Sequence, residues 1–382
     1  MPDLPRSRRD VLRALGLGAL AAPVAGCVTT GEVAPPERTP ARILESPRLE
    51  APPPAVPRPP EPPPPDLTPP PAPERSLVLP PRLRRGGTIG LVAPAGVLRG
   101  TSQLTDSMRA VRDLGFEPRA GRHVLARHGF LAGTDRQRAD DLMDMFTDDS
   151  VDAILCVRGG WGCARILPLL DYDAIRANPK PLVGYSDVTA LLLALYHRAG
   201  LVSFHGPVGI STWPGTTARS FLDVLVEGRA LRIEGETRAR RIAGQTVRGG
   251  VAEGPLAGGN LSVIAGLAGT GYLPDLDGHV VFFEETGEES YRLDRLMTQL
   301  RLAGVLRRPA AVVFGQCDNC TDGGSAWTAT EVLRDHLGDL GCPAWLGAPV
   351  GHVSPVHTLP VGVRVRTDAD AGTLEMLNPA VA

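Results

Sequence analysis

From about Thr88 onward, short apolar runs alternate with amphipathic stretches. Residues 88–93 are apolar and close on Pro94-Ala95-Gly96, as a buried strand entering a turn does. The pattern then predicts a helix over 103–114, short extended pieces at 116–118 and 123–125, an amphipathic helix over 136–147 and a fully apolar strand over 153–157. A helix from 164 to 170, a strand over 181–185 and a strongly apolar helix over 188–197 follow. Strands that are apolar throughout and separated by helices imply a parallel sheet covered on both faces. Between 215 and 248 charged residues and glycines interrupt the pattern, and the interdomain connection is assigned to 226–250. A second set begins at Leu261, with strands over 280–283 and 311–314 and helices over 292–302 and 329–337. The expected architecture is two-domain α/β: an N-terminal parallel-sheet domain over 83–225 and a smaller C-terminal α/β domain over 251–382.

The first eighty residues follow a different pattern. Ser7-Arg8-Arg9-Asp10-Val11-Leu12-Arg13 precedes an apolar run from Ala14 to Gly26, the charged-then-apolar layout of an export signal and too short for a permanent membrane span. The paired arginines point to a twin-arginine route. Val24-Ala25-Gly26-Cys27 resembles a bacterial lipobox, which makes Cys27 the expected lipid attachment point at the end of a signal peptide over 1–27. More than half of the 38 prolines fall between Ala34 and Pro81. Proline fixes φ and removes an amide donor, so residues 28–82 read as a semi-rigid polyproline II tether. The chain is therefore expected on the periplasmic side of a membrane, held there by a lipid.

Composition narrows the function classes. A net charge of −2 and 4% aromatic residues give neither the basic footprint nor the stacking platform that nucleic acid requires. The six cysteines are too sparse for a disulfide scaffold. Cys317 and Cys320 have CxxC spacing, but no second ligand pair accompanies them, so no metal site is expected. Two thiols in a turn is the preferred reading there, with an oxidised pair as its competitor.

Three clusters can carry chemistry. Arg158-Gly159-Gly160-Trp161-Gly162 follows a strand and precedes a helix, where open α/β sheets bind ligands. Arg165 stands where the third glycine of a dinucleotide fingerprint belongs, so an anion or oxyanion site is preferred to a nucleotide, with a ligand-free glycine turn as the plain alternative. Gly184-Tyr185-Ser186-Asp187 is again strand, turn and helix. Ser186 there is either a nucleophile exposed on a tight turn or, with Asp187, a helix N-cap. The third is a pair of sites, Phe283-Glu284-Glu285 at a strand end and Gly351-His352 after a turn. A serine needs a base and a histidine base needs a carboxylate, which these could supply. His205 and His357 are rivals to His352.

Taken in order, the Arg158 to Gly162 and Gly184 to Asp187 clusters, Gly258-Gly259-Asn260-Leu261, Phe283-Glu284-Glu285 with Tyr291 to Arg295, and Gly351-His352 with Leu359-Pro360-Val361-Gly362 resemble the LD-carboxypeptidase family, which includes microcin-immunity peptidases. The resemblance runs from about Gly86 to the C-terminus. It implies a Ser186, Glu284, His352 triad straddling two domains, and an oxyanion hole from the Asp187 amide and the Gly159-Gly160 turn. It also implies Gly259 and Asn260 near the cleft, no cofactor, and a tendency to dimerise. Arg158 is the candidate partner for a substrate carboxylate. Peptidoglycan peptides ending in D-alanine are the implied substrate. A microcin-immunity type of peptidase acting on peptidyl-nucleotides or acyl-amino-acid amides is the alternative, and a lipid-anchored, non-catalytic wall-binding protein is the reading from outside enzymology.

Overall fold

The computed structural model describes residues 71–235, 242 and 244–382. The expected export signal, Cys27, most of the proline-rich segment and part of the interdomain connection lie outside those residues. The described residues form one compact unit that holds two sheets.

The first sheet grows from the apolar runs. β1 (Thr88–Val92), β2 (Glu117–Ala120), β3 (Ala153–Cys156), β4 (Leu182–Gly184) and β5 (Ser203–His205) are mutually parallel in the order β5-β4-β3-β1-β2. The helices between them are α1 (Thr101–Asp113), α2 (Asp135–Thr147), α3 (Cys163–Ile166), α4 (Tyr172–Ala177) and α5 (Thr189–Ala194), the last prolonged by a π turn over Leu195–Ala199. α2 starts on a capping box in which Thr134 and Gln137 satisfy each other's backbone amides. The expected extended piece at 123–125 is a turn, held by the Asp141 carboxylate, which accepts from the His123 amide.

The interval read as irregular contains α6 (Gly215–Leu225) and two edge strands, β6 (Arg232–Glu234) and β7 (Gln245–Arg248). Next comes β8 (Val251–Asn260), a ten-residue strand whose glycines had masked it, and then α7 (Leu261–Leu267). β9 (Val280–Thr286), α8 (Ser290–Leu302), β10 (Ala311–Asp318), α9 (Ala329–Gly338) and β11 (Ala344–Leu346) follow at the expected places. β12 (Leu359–Val361), β13 (Arg364–Asp368) and β14 (Thr373–Met376) end the chain. The second sheet has eight strands, ordered β6-β14-β13-β8-β9-β10-β11-β7, against six in the first. It is rolled: Trp345 of β11, fully buried, donates from Nε1 to Thr367 Oγ1 of β13 at 2.8 Å.

Two features depart from a clean division at 225 and 251. β12 leaves the second half to pair antiparallel with β5, so the C-terminal segment completes the first sheet. The expected tether ends earlier than 82. Val78 bridges Leu201, Leu83 is buried, and Pro80 and Arg82 clamp the terminal Ala382 through backbone bonds of 2.9 and 3.2 Å. Those amides are paired and cannot belong to a solvated spacer.

Candidate active site

The carboxyl ends of β1, β3 and β4 carry Pro94-Ala95-Gly96, Arg158 to Gly162, and Tyr185-Ser186. Those of β8, β9 and β11 lead into Asn260, Glu284-Glu285 and the loop to His352. The two sheets meet over these ends. Asn260 N donates to Thr189 Oγ1 at 3.0 Å, joining the end of β8 to the helix that follows Ser186. Gly259 has φ +142°, and a Cβ there would collide with Thr189, so only glycine allows this approach.

Ser186 adopts φ +65°, a left-handed conformation that non-glycine residues avoid at a cost of about 1–3 kcal/mol. Its side chain caps neither the 3₁₀ turn it opens nor α5. The local rival reading, a helix cap, therefore does not describe this serine. Asp187 accepts instead from Cys163 N at 2.8 Å, at the start of α3, and its burial raises its pKa. Gly159 faces Ser186 directly. A Cβ on it would lie 2.8 Å from Ser186 Cβ and 3.1 Å from Oγ.

His352 Nδ1 lies 2.7 Å from Glu284 Oε2. A carboxylate only accepts, so in the neutral ring Nδ1 carries the proton and Nε2 keeps its lone pair. Burial alone would push the imidazole down, but the charge and hydrogen bond of Glu284 outweigh it and raise the pKa of His352. Likewise burial would raise Glu284, which is fully buried, yet His352 holds it below the usual value. Gly351, at φ +113°, lets the loop lie on Glu284; a Cβ there would be 2.6 Å from Glu284 Cβ. The His352 ring packs edge-on against Tyr185, the residue before Ser186, at 4.8 Å between centroids.

Two other histidines bond to carboxylates, His123 to Asp141 and His336 to Asp294, but His352 is the one stacked beside the serine turn. His205 is fully buried between Tyr185 and Phe282, and burial lowers its pKa to about 4. Burial also lowers His357. Neither rival makes a carboxylate bond of this kind among the described residues.

The remaining candidates divide. Gly160, at φ +120°, lines a cavity of about 250 Å³ together with Ser186, Asp187 and Asn260. Asn260 caps α7 by accepting from Val263 N at 3.1 Å, and its Nδ2 donates to Glu285 Oε1 at 2.9 Å. Arg158 donates to the carbonyls of Val97 (2.8 Å) and Gly159 (3.3 Å), so it braces the glycine turn and does not line this cavity. Arg138, buried on α2, was not singled out by the sequence; it holds the Pro94 and Gly162 carbonyls at 2.5 and 2.8 Å and fixes two of the turns around Ser186. Cys317 and Cys320 form a disulfide, against the preferred reading of free thiols. Asn319, at φ +53°, turns the chain back after β10 and brings the two Cα atoms to 5.5 Å, within bonding range.

A serine strained into a strand-to-helix elbow, beside a histidine oriented by a buried carboxylate, describes the class of α/β hydrolytic enzymes. Comparison with known proteins narrows it. Residues 89–206 match the LD-carboxypeptidase N-terminal domain and residues 253–367 the LD-carboxypeptidase C-terminal domain. The chain is 34% identical to a murein tetrapeptide carboxypeptidase of Pseudomonas aeruginosa, over 72% of this chain and 91% of that one. Among solved structures, a muramoyltetrapeptide carboxypeptidase from Oxalobacter formigenes superposes with a TM-score of 0.67 at 28% identity, covering 76% of this chain and 97% of that one. The microcin immunity protein MccF, in complex with glutamyl sulfamoyl guanosine, gives 0.73 at 26% identity, with 80% and 99% covered. The chain belongs to the LD-carboxypeptidase family and is a peptidase.

Proposed function

We propose that this protein is a serine carboxypeptidase that removes the terminal D-alanine from peptidoglycan tetrapeptides. The observation that carries the mechanism is the 2.7 Å bond between His352 Nδ1 and Glu284 Oε2, on a ring packed against the residue preceding the strained Ser186. His352 Nε2 takes the Ser186 Oγ proton as Oγ attacks the carbonyl carbon of the diamino acid. The Asp187 amide and the Gly160 turn receive the oxyanion. As the intermediate collapses, the C–N bond breaks, the proton passes from His352 to the departing amine, and D-alanine leaves with an acyl ester on Ser186. Water then attacks the ester, its proton going to His352 and from there back to Ser186, and the tripeptide is released.

Incubating the purified protein with murein tetrapeptide and weighing the products by mass spectrometry tests this. Loss of one alanine is expected; an unchanged tetrapeptide sinks the reading. The likeness to MccF favours a second reading, cleavage of an acyl-amino-acid amide or peptidyl-nucleotide, and the same assay with such a substrate separates the two. Adding only a Cβ at Gly159 crowds Ser186, and misplacements of this size cost about a hundredfold. Gly159→Ala is thus expected to lower kcat/KM by about that factor, read in steady-state kinetics.

We also propose that Cys27 carries a lipid, which together with export would hold the enzyme beside the cell wall. What supports this is the order of paired arginines, apolar run and lipobox. In cells fed radioactive palmitate, the wild type is expected to be labelled and Cys27→Ser to remain unlabelled; equal labelling of both would refute the assignment.

A further inference from the structure

The cavity beside Ser186 has a chemical bias that the catalytic groups do not need. Trp161, Ala164, Val263 and Leu267 give it an apolar lining, and its ionisable lining is acidic: Asp187, Glu285 and Glu288. Among the described residues no lysine or arginine lines it. The three acids differ in availability: Asp187 is buried and accepts from Cys163 N at 2.8 Å. Glu285 is buried and spent: Oε1 accepts from Asn260 Nδ2 and the Thr286 amide, and Oε2 from the Ser262 amide and hydroxyl, at 2.7 to 2.9 Å. Glu288 is only partly covered, its side chain 23% exposed, and its nearest cation is Arg292 at 3.6 Å, itself more than half exposed. The backbone holds Glu288 in place, since Thr321 N donates to its carbonyl at 3.0 Å and Ser290 N to that of Thr321 at 3.0 Å.

An apolar cavity lined by an incompletely paired carboxylate on a held backbone matches a side chain with a methylene stem and a cationic tip. We propose, resting on the carboxypeptidase reading above, that Glu288 is the specificity-determining residue for the acyl half of the substrate. It takes the side-chain ammonium of a diamino acid whose carbonyl is attacked by Ser186. The polarity of the scissile bond follows. D-Alanine, with its free carboxylate, is excluded from this acidic cavity and departs on the side of the Gly96 and Gly159 turns that Arg158 braces.

Two tetrapeptides that differ only in the third residue, L-lysine or L-norleucine, test this, because norleucine keeps the stem and lacks the ammonium. Turnover is measured with the wild type and Glu288→Gln; affinity is measured by calorimetry with Ser186→Ala and with Ser186→Ala carrying Glu288→Gln. A charge-assisted hydrogen bond corresponds to a preference of about tenfold or more. The wild type should favour lysine by that ratio in kcat/KM, and the ratio should fall close to one in Glu288→Gln. A wild type indifferent to the ammonium, or a Glu288→Gln variant that keeps the preference, overturns the proposal. If neither peptide is turned over, the carboxypeptidase reading falls instead. Glu288 is then judged by binding alone, where lysine and norleucine peptides of equal affinity overturn it.

Discussion

Ser186→Ala is expected to reduce D-alanine release by at least about a thousandfold, with the loss in kcat and little change in KM. The hydroxyl takes part in the transition state, whereas the peptide is held by contacts that do not involve it. A variant retaining activity within tenfold would remove Ser186 from the chemistry. Stability supplies an independent reading. Alanine has the same Cβ as serine and inherits the left-handed φ of +65°, so its melting temperature should stay near that of the wild type. Glycine pays nothing for that conformation. Ser186→Gly should therefore melt higher, by an amount corresponding to about 1 kcal/mol, while being as inactive as the alanine variant. A helix cap would behave in the opposite way: alanine and glycine would both destabilise, and activity would fall only as far as folding did.

That contrast marks where the sequence ceased to be informative. The strands of the first sheet were legible because β1, β3 and β4 are almost wholly apolar, with a glycine or proline at their end or within three residues of it, a pattern that burial on both faces explains. β8 was not legible: Gly254, Pro255, Gly258 and Gly259 are poor strand formers, and the three glycines are present because Gly278, Phe282 and Thr189 approach too closely for a side chain. β13 alternates exposed and buried residues, a period-two signal present in Arg364-Val365-Arg366 but too short to stand out. Residues 78–82 read as tether because proline dominates locally, whereas their partners, Leu201 and the C-terminus, lie far along the chain. The site shows the same division. Glu284 and Glu285 are adjacent acids on one strand, and pleating alone sends them to opposite faces. Only the fold shows that Glu284 meets His352 while Glu285 is consumed by Asn260, Ser262 and Thr286. The sign of φ at Ser186 is likewise a property of the turn that β4 and α5 impose.

Glu284→Gln gives the second large effect, and its pH dependence distinguishes orientation from mere packing. As a base, His352 must be neutral in the free enzyme, and Glu284 raises its pKa above the ordinary 6.5. The acidic limb of kcat/KM should therefore have its midpoint above 6.5, with activity growing as pH rises through it. The ion pair's contribution to stability runs the other way. A raised histidine pKa stabilises the fold fully below about 6.5 and ceases to do so as pH rises through the folded value. The lowered pKa of Glu284 contributes above its ordinary 4.5 and is lost as pH falls through its folded value. The pair thus stabilises the fold most between those limits, and activity emerges over the interval in which the histidine's share is fading. Glutamine keeps the shape, removes the charge and no longer dictates which nitrogen carries the proton. By analogy with other hydrolytic triads, kcat is expected to fall by about 10³–10⁴. With the Glu284 charge gone, burial is opposed only by the fields of Glu285 and Asp318, so His352 should titrate lower than in the wild type, moving the acidic limb downward. A loss of rate with the limb unmoved would mean that Glu284 merely fills space, and the orienting role would have to be reassigned.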